Sequence, residues 1–239
     1  MYSDGRAAAL YDTLNPWGPS DDFYLARAMA APSVLDVGCG TGTMLRRART
    51  AGHAGRLVGV DPDAAALDIA RRQRDIEWVE VPAAAMVWDR EFALATMMSH
   101  AFQFLVTDDE VRASLASIHH ALIDGGHFVF ETRNPAVRAW EQWNPDNPAD
   151  VVDPAGRPVR ITYEVEAVDG DVVTVTETTS DPAGTALRAD RASLRFLGED
   201  ALTRFLDKAG FVVETRHGGW AGEPLGPTSP EIVTVARKA

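Results

Sequence analysis

The stretch VLDVGCGTG, residues Val34–Gly42, decides the fold of this chain. Val34–Val37 is a short, mostly apolar run typical of a strand, and glycine then occupies positions 38, 40 and 42. Glycines at alternate positions let bare backbone approach a ligand that a Cβ would hold away. Apolar periodicity resumes at Met44 and predicts a helix whose first N–H groups face the turn. The stretch therefore predicts a strand, a ligand-binding turn and a helix.

The rest of the first half alternates strands with helices. Strands are predicted at 57–60, 77–80, 93–98 and 127–131, and helices at 21–29, 64–72 and 108–122. This alternation predicts an α/β fold, in which helices cover both faces of a mostly parallel sheet.

The pattern changes after residue 150. Three Val- and Thr-rich runs separated by turns predict an antiparallel meander: 159–168, 171–179 and 187–196. A helix at 199–209 and two strands at 211–216 and 232–236 then return to the first pattern. We therefore predict a core made of residues 1–135 and 198–239, with a small antiparallel β insertion at 136–197 that acts as a lid or as a dimer contact.

Composition excludes several classes of function. The chain has 239 residues, with 23 Lys and Arg against 35 Asp and Glu, and a formal net charge of −12. An acidic protein lacks the cationic field that nucleic acid or an anionic membrane surface requires. Cys39 is the single cysteine, so no internal disulfide can form, and we expect a cytoplasmic protein. No histidine pair has metal-ligand spacing, so we expect no metal.

The residues around the glycines limit the class of ligand that the turn can bind. Asp61 ends the second predicted strand, where a carboxylate accepts hydrogen bonds from ribose hydroxyls. The glycine spacing differs from Gly-x-Gly-x-x-Gly, and no Lys follows the turn as in a P-loop. Asp36 beside the glycines suits a cationic amino group better than a pyrophosphate. The pattern therefore favours a nucleoside that carries an amino group.

These motifs resemble those of class I S-adenosylmethionine-dependent methyltransferases. Asp36–Gly42 is similar to the glycine-rich first motif of that family, Val58–Pro62 to its acidic second motif, and Leu122–Phe128 to the turn into its fifth strand. The resemblance implies a Rossmann-like seven-stranded sheet, mostly parallel with the last strand antiparallel. It also implies S-adenosyl-L-methionine as cofactor and S-adenosyl-L-homocysteine as product. The layout is similar to that of small-molecule N-methyltransferases acting on glycine or amino sugars.

The resemblance also implies roles for particular residues. Asp36 would hold the amino group of the cofactor, and Asp61 its ribose. The other cofactor-binding candidates are Tyr11, Gly38, Cys39, Gly40, Pro62, Ala83, Ala84, Ser99, His100 and Gln103. Two positions depart from the family pattern. Pro82 stands where an acidic residue often meets the adenine, and Ala93 stands where the fourth strand often begins with Asp.

The implied reaction is methyl transfer to a small-molecule N or O nucleophile by in-line displacement. His100 and Tyr11 are the catalytic candidates, because they fall around the inferred methyl position and His100 can act as a general base. The substrate-binding candidates are Trp17, Arg133, Trp140, Trp143 and Trp220. Two alternatives stay open: a cofactor-binding protein that catalyses cyclisation or isomerisation, and a nicotinamide-dependent oxidoreductase. We expect a monomer or a homodimer.

Overall fold

The computed structural model describes residues 5–239, with side chains from Ala8 onward, so residues 1–4 of the predicted core lie outside the described residues. The α-helices are α1 (Gly5–Leu14), α2 (Pro19–Ala30), α3 (Thr43–Thr50), α4 (Ala64–Ala70), α5 (Asp108–Ala121) and α6 (Glu199–Lys208). The strands are β1 (Ser33–Val37), β2 (Arg56–Asp61), β3 (Glu77–Glu80), β4 (Phe92–Met97), β5 (Leu122–Arg133), β6 (Ala149–Val152), β7 (Pro158–Asp169), β8 (Val172–Ser180), β9 (Ala186–Arg195), β10 (Phe211–His217) and β11 (Glu231–Lys238).

Seven strands form the central sheet, in the order β10-β11-β5-β4-β1-β2-β3. The pairs among β1 to β5 are parallel, whereas β11 is antiparallel to both β5 and β10. The predicted fold class, a mostly parallel sheet with an antiparallel last strand, is confirmed. The glycine turn follows β1 at the centre of the sheet, where the strand order reverses and open α/β sheets bind their ligands.

The second sheet is antiparallel, with strands in the order β6-β7-β8-β9. The predicted meander corresponds to β7, β8 and β9, but sequence patterning missed β6. That strand has only four residues, and its pairing with β7 defines it. The sheet spans 149–195, and the exact limits of the insertion as a domain stay a prediction.

The central sheet buries both of its faces. Leu35 of β1 points into a cluster completed by α5 and α6, whereas Val34 points to the opposite face, toward α2 and α3. Successive side chains of a strand alternate between faces, so the apolar run in β1 supplies both layers. Among residues 5–239, no helix is both long enough and apolar enough to span a membrane.

The glycine turn packs closely against Trp78 of β3. Gly42 has φ of 74°, and a Cβ on it would lie 2.2 Å from Cη2 of Trp78. We expect Gly42→Val to lower the free energy of unfolding by about 2–5 kcal/mol, about 1–3 from overpacking and about 1–2 from a left-handed β-branched residue. Urea denaturation measures this change.

The matched control for this prediction is Gly40→Ala. Gly40 also has positive φ, at 54°, but a Cβ there would have no heavy atom within 4 Å. We therefore expect only the backbone cost, about 1–2 kcal/mol. Equal destabilisation by the two variants would show that contact with Trp78 is not the reason for glycine at position 42.

Candidate active site

The glycine turn is held by backbone hydrogen bonds to the end of β2. Gly38 N and Cys39 N donate to the Val60 carbonyl, at 2.8 and 3.0 Å. On the other side, a Cβ on Gly38 would come within 2.9 Å of the Ala101 Cβ. The turn therefore lies between the end of β2 and the segment that follows β4, with no room for a side chain at Gly38.

Asp61 is oriented by the same turn. Its Oδ2 accepts from Gly40 N at 2.8 Å, and its Oδ1 accepts from Asp63 N at 2.8 Å. Burial raises the pKa of this carboxyl. Each carboxylate oxygen retains a lone pair. The group is therefore already positioned to accept hydrogen bonds from a ligand hydroxyl, and Pro62 follows it directly.

Asp36 lies beneath the turn and is almost fully buried. Its Oδ1 accepts from Thr96 Oγ1 at 2.8 Å. Burial, together with the negative charges of Asp61 and Glu131, raises the Asp36 pKa to about 7 despite the hydrogen bond from Thr96. A cationic ligand group beside Asp36 would offset that cost by stabilising the ionised form.

Ser99 and His100 follow β4 in the left-handed region, with φ of 56° and 60°. Two successive non-glycine residues in this region are strained and need support from their surroundings. His100 N donates to Oε1 of the buried Glu131 at 2.8 Å, and the Tyr24 hydroxyl donates to Oε2 of the same carboxylate. Glu131 therefore connects the strained turn to α2.

The His100 ring also meets a carboxylate. Its Nε2 lies 3.0 Å from Oε2 of Glu231, the first residue of β11. No described residue forms a hydrogen bond with His100 Nδ1. The tautomer with a proton on Nε2 donates to Glu231 and leaves the Nδ1 lone pair available. This arrangement orients the ring and makes Nδ1 a proton acceptor.

Glu131 and Glu231 were not among the predicted site residues. Glu131 stands in the apolar run FVFE of β5, and an acidic residue in such a run is a detectable signal because an isolated buried charge is costly. Glu231 gives no such signal, since it follows a Gly- and Pro-rich loop. Its position depends on the antiparallel pairing that sets it opposite Arg133.

Tyr11 of α1 reaches the same place. Its phenol forms a hydrogen bond with the Ser99 side chain, and burial raises its pKa, so the hydroxyl stays protonated near neutral pH. The structure thus brings Tyr11, Ser99 and His100 together at the end of β4, and their predicted roles toward the cofactor stay predictions.

Gln103 lies in a short 3-10 helix, Ala101–Phe104, and is fully buried. Its Oε1 accepts from Arg133 Nη1 at 3.0 Å, and its Nε2 donates to the Arg195 carbonyl at 3.1 Å. Both ends of the amide are therefore engaged within the protein. Gln103 joins Arg133 to the last residue of β9, and its predicted contact with the cofactor stays a prediction.

The predicted tryptophans lie in three places. Trp140 and Trp143 pack on Phe196, with ring centroids 4.5 and 6.0 Å apart, and Trp143 also lies 5.1 Å from the Arg133 guanidinium. Trp220 packs on Phe23 and Tyr24 of α2. Trp17 donates from Nε1 to Asp22 Oδ1 at 2.7 Å, and Arg47 lies over its ring. The Trp143 ring thus lies beside Arg133, another substrate-binding candidate, and all of the substrate roles stay predictions.

The remaining candidates are backbone positions or a half-buried thiol. Ala83 and Ala84 lie in a 3-10 helix after β3, Ala83–Ala85, and the Ala84 carbonyl accepts from Ser117 Oγ at 3.1 Å. Burial raises the pKa of the Cys39 thiol. In the described part of the chain, no three His, Cys, Asp or Glu side chains converge in a way that could hold a metal ion.

Comparison with known proteins identifies this architecture. Residues 34–126 match the model of a family described as methyltransferase domain. Residues 34–126 form a methyltransferase domain. Over 217 residues, this chain is 28% identical to the Cypemycin N-terminal methyltransferase of a Streptomyces species, covering 89% of this chain and 85% of that relative.

Solved structures share the methyltransferase fold. An S-adenosylmethionine-dependent methyltransferase from Clostridium acetobutylicum ATCC 824 superposes with a TM-score of 0.77 at 16% identity, covering 96% of each chain. CalS10, an amino pentose methyltransferase from Micromonospora echinaspora with bound S-adenosylmethionine, gives 0.71 at 22% identity, covering 100% of this chain and 98% of its own. The expected family and its cofactor, S-adenosylmethionine, are thus confirmed.

The residues present fit that cofactor. Gly38 and Gly40 have positive φ, and a Cβ on Gly40 would have no heavy atom within 4 Å, so the turn is open there. Asp61 has a preoriented acceptor that would suit a ribose hydroxyl, and Asp36 has a buried carboxyl that a cationic amino group would ionise; both roles stay predictions. An open backbone turn, an acceptor for hydroxyls and a carboxyl for a cation thus suit a nucleoside that carries an amino group.

The raised pKa of Asp36 predicts pH-dependent affinity for S-adenosylhomocysteine. With a pKa of about 7, only about a tenth of Asp36 is ionised near pH 6. A cationic amino group prefers the ionised form, so we expect affinity to rise roughly eightfold from about pH 6 to about pH 7.5, with proton release on binding. Calorimetric titration in two buffers of different ionisation enthalpy measures both quantities.

The control for this prediction is Asp36→Asn, which binds more weakly and should lose the pH dependence. In the cofactor-free protein the same shift acts on stability. A folded-state pKa above the unfolded value means that the folded protein holds a proton that the unfolded chain releases, so stability falls as pH rises from about 4 toward 7. Affinity independent of pH would contradict the assigned role of Asp36.

Proposed function

We propose that this methyltransferase transfers the methyl group of S-adenosylmethionine to a small-molecule N or O nucleophile by in-line displacement. One observation carries the proposal: His100 lies beside the glycine turn with its imidazole held by Glu231. The next residue, Ala101, packs on Gly38 of that turn. When bound, S-adenosylmethionine supplies an electrophilic methyl group on a sulfonium. The chain must then orient the acceptor and remove its proton.

His100 is proposed as the general base. With Nε2–H donating to Glu231, Nδ1 takes the proton from the acceptor as its nucleophilic atom attacks. The charge that develops on the imidazole is stabilised by the Glu231 carboxylate at 3.0 Å. His100 can thus act as the base for an acceptor with an ammonium or a hydroxyl group, since each must lose a proton.

Tyr11 and the glycine turn are proposed to enclose the reaction. Tyr11 meets Ser99 at the end of β4, where α1 covers the site and helps to exclude water. Because the sulfonium is already activated, alignment is the main task of the protein, and proximity with orientation supplies about 7–11 kcal/mol of the barrier. We propose that four residues hold the cofactor in position: Asp36, Gly38, Gly40 and Asp61.

The relatives support a small acceptor. The Streptomyces relative is named for a methyl acceptor at the N-terminus of cypemycin, and CalS10 is described as an amino pentose methyltransferase. A further relative, from Thermosynechococcus vestitus, is 30% identical over 152 residues and is named as a 2-phytyl-1,4-naphtoquinone methyltransferase; the match covers 58% of this chain and 66% of the relative. Their acceptors are chemically diverse. The names therefore support methyl transfer as the reaction, but they favour no particular nucleophile.

The proposal is tested by calorimetry followed by a turnover screen. We expect S-adenosylmethionine and S-adenosylhomocysteine to bind with micromolar dissociation constants, about −8 kcal/mol, and NADH not to bind. Amine and hydroxyl acceptors are then screened for release of S-adenosylhomocysteine. Tight NADH binding without S-adenosylmethionine binding would overturn the proposal, and so would isomerised or cyclised acceptors formed without methyl transfer.

A further inference from the structure

Arg133, the last residue of β5, carries a guanidinium that has no carboxylate partner among the described residues. Among the described residues, its single hydrogen-bond acceptor is Oε1 of Gln103, at 3.0 Å from Nη1. No described carboxylate oxygen lies within 4.0 Å of the Arg133 guanidinium. A guanidinium has five N–H donors in a planar fork. Most of the donor capacity of Arg133 is therefore unused by the described part of the chain.

The burial of Arg133 makes such an unpaired guanidinium unusual. Burial lowers its pKa, although not enough to discharge a guanidinium. Glu231 stands opposite Arg133 across the β5–β11 pair, yet its carboxylate forms a hydrogen bond with His100 instead. A largely buried cation normally has an anionic partner, because removal from water is costly. Among the described residues, the carboxylates of Glu131 and Glu231 act on Arg133 only at longer range.

The side chain is also held in place. Gln103 accepts from both the backbone N–H and Nη1 of Arg133, at 3.3 and 3.0 Å. The Trp143 ring lies 5.1 Å from the guanidinium carbon and restricts it further. Tyr11 and Tyr163 lie near enough to influence its charge. An oriented guanidinium beside the proposed catalytic residues has the geometry of a recognition site.

We propose that Arg133 binds a carboxylate group of the methyl acceptor. This inference rests on the proposed function and specifies the substrate class of the same site. A carboxylate accepts two parallel N–H bonds from a guanidinium, which fixes both the position and the angle of the acceptor. The nucleophilic atom of the acceptor is then directed toward His100. His100 and Arg133 lie close to the same two carboxylates, those of Glu131 and Glu231.

The neighbouring charges favour a carboxylate over a phosphate. Glu131 and Glu231 both interact with Arg133 at longer range. Like charges repel strongly in a poorly solvated site, so a dianionic group is disfavoured relative to a monoanion. The acceptor class that fits is a small carboxylic acid with an amine or hydroxyl.

The test uses matched neutral and anionic probes. Propionate and propionamide, and benzoate and benzamide, are titrated by NMR into the protein, with and without saturating S-adenosylhomocysteine. We expect each carboxylate to bind at least tenfold more tightly than its amide. Arg133→Gln should abolish that preference and Arg133→Lys should retain part of it, because Lys keeps the charge but loses the fork.

The control variant is Arg138→Gln, which removes an exposed guanidinium paired with Glu141 and should leave the preference unchanged. Equal binding of acid and amide by the wild-type protein would overturn the inference, as would a preference that persists in Arg133→Gln. The wild-type comparison decides the matter even when the variant does not fold. If S-adenosylhomocysteine binds without a carboxylate preference, the inference fails and the proposed function stands; if it does not bind, the proposed function fails.

Discussion

Replacing His100 with Asn is expected to lower kcat by about 10²–10⁴-fold, the usual contribution of a general base. Asn is chosen because it tolerates the left-handed conformation that His100 adopts, with φ of 60°, and cannot accept a proton at neutral pH. Affinity for S-adenosylhomocysteine should fall much less than kcat, because Asp36, Gly38, Gly40 and Asp61 are the residues proposed to hold most of the cofactor. Turnover is measured with whichever acceptor the screen identifies, and the cofactor affinity by calorimetry.

A substitution at Glu231 separates the chemical role of His100 from its structural role. Glu231→Gln keeps a hydrogen-bond partner for Nε2 and removes the charge, so we expect a smaller loss than in His100→Asn. Unchanged turnover in His100→Asn would remove His100 from the mechanism and leave alignment as the sole source of rate.

Glu131→Ala is expected to lower the free energy of unfolding by about 2–6 kcal/mol. The substitution leaves the Tyr24 hydroxyl and the His100 N–H buried without a partner, each at about 1–3 kcal/mol. It also removes the carboxylate that supports the strained turn at Ser99 and His100. Urea denaturation at neutral pH measures the loss.

Two further variants divide the Glu131 effect. Tyr24→Phe removes only the hydroxyl donor, so its loss should be smaller than that of Glu131→Ala. Glu131→Gln retains an oxygen for the His100 N–H and a polar partner for Tyr24, and we expect a change of no more than about 1 kcal/mol. If Glu131→Ala were no less stable than Tyr24→Phe, Glu131 would not be supporting the turn that carries His100.

The strongly patterned parts of the sequence were predicted well. The strand before the glycine turn, the turn itself and Asp61 occur where expected, because alternating glycines and apolar periodicity are local signals. The end of α5 shows where a local signal gives the wrong boundary. Asp124-Gly125-Gly126 predicted a break before a strand at 127–131, yet β5 begins at Leu122. Pairing of Leu122 with Phe92, followed by a register shift, adds residues that propensity alone would leave in a turn.

The sequence by itself determined the class of fold, the cofactor and the residues of the glycine turn, since these depend on neighbours within about thirty positions. Only the tertiary structure decided how the site is supported and what it recognises. Glu131 reaches Tyr24 across 107 residues and Glu231 reaches His100 across 131. Within residues 8–239, Arg133 has no carboxylate partner, because β5 and β11 align Glu231 beside it while the Glu231 carboxylate binds His100. Such contacts depend on strand register and packing between distant segments, which no local pattern encodes.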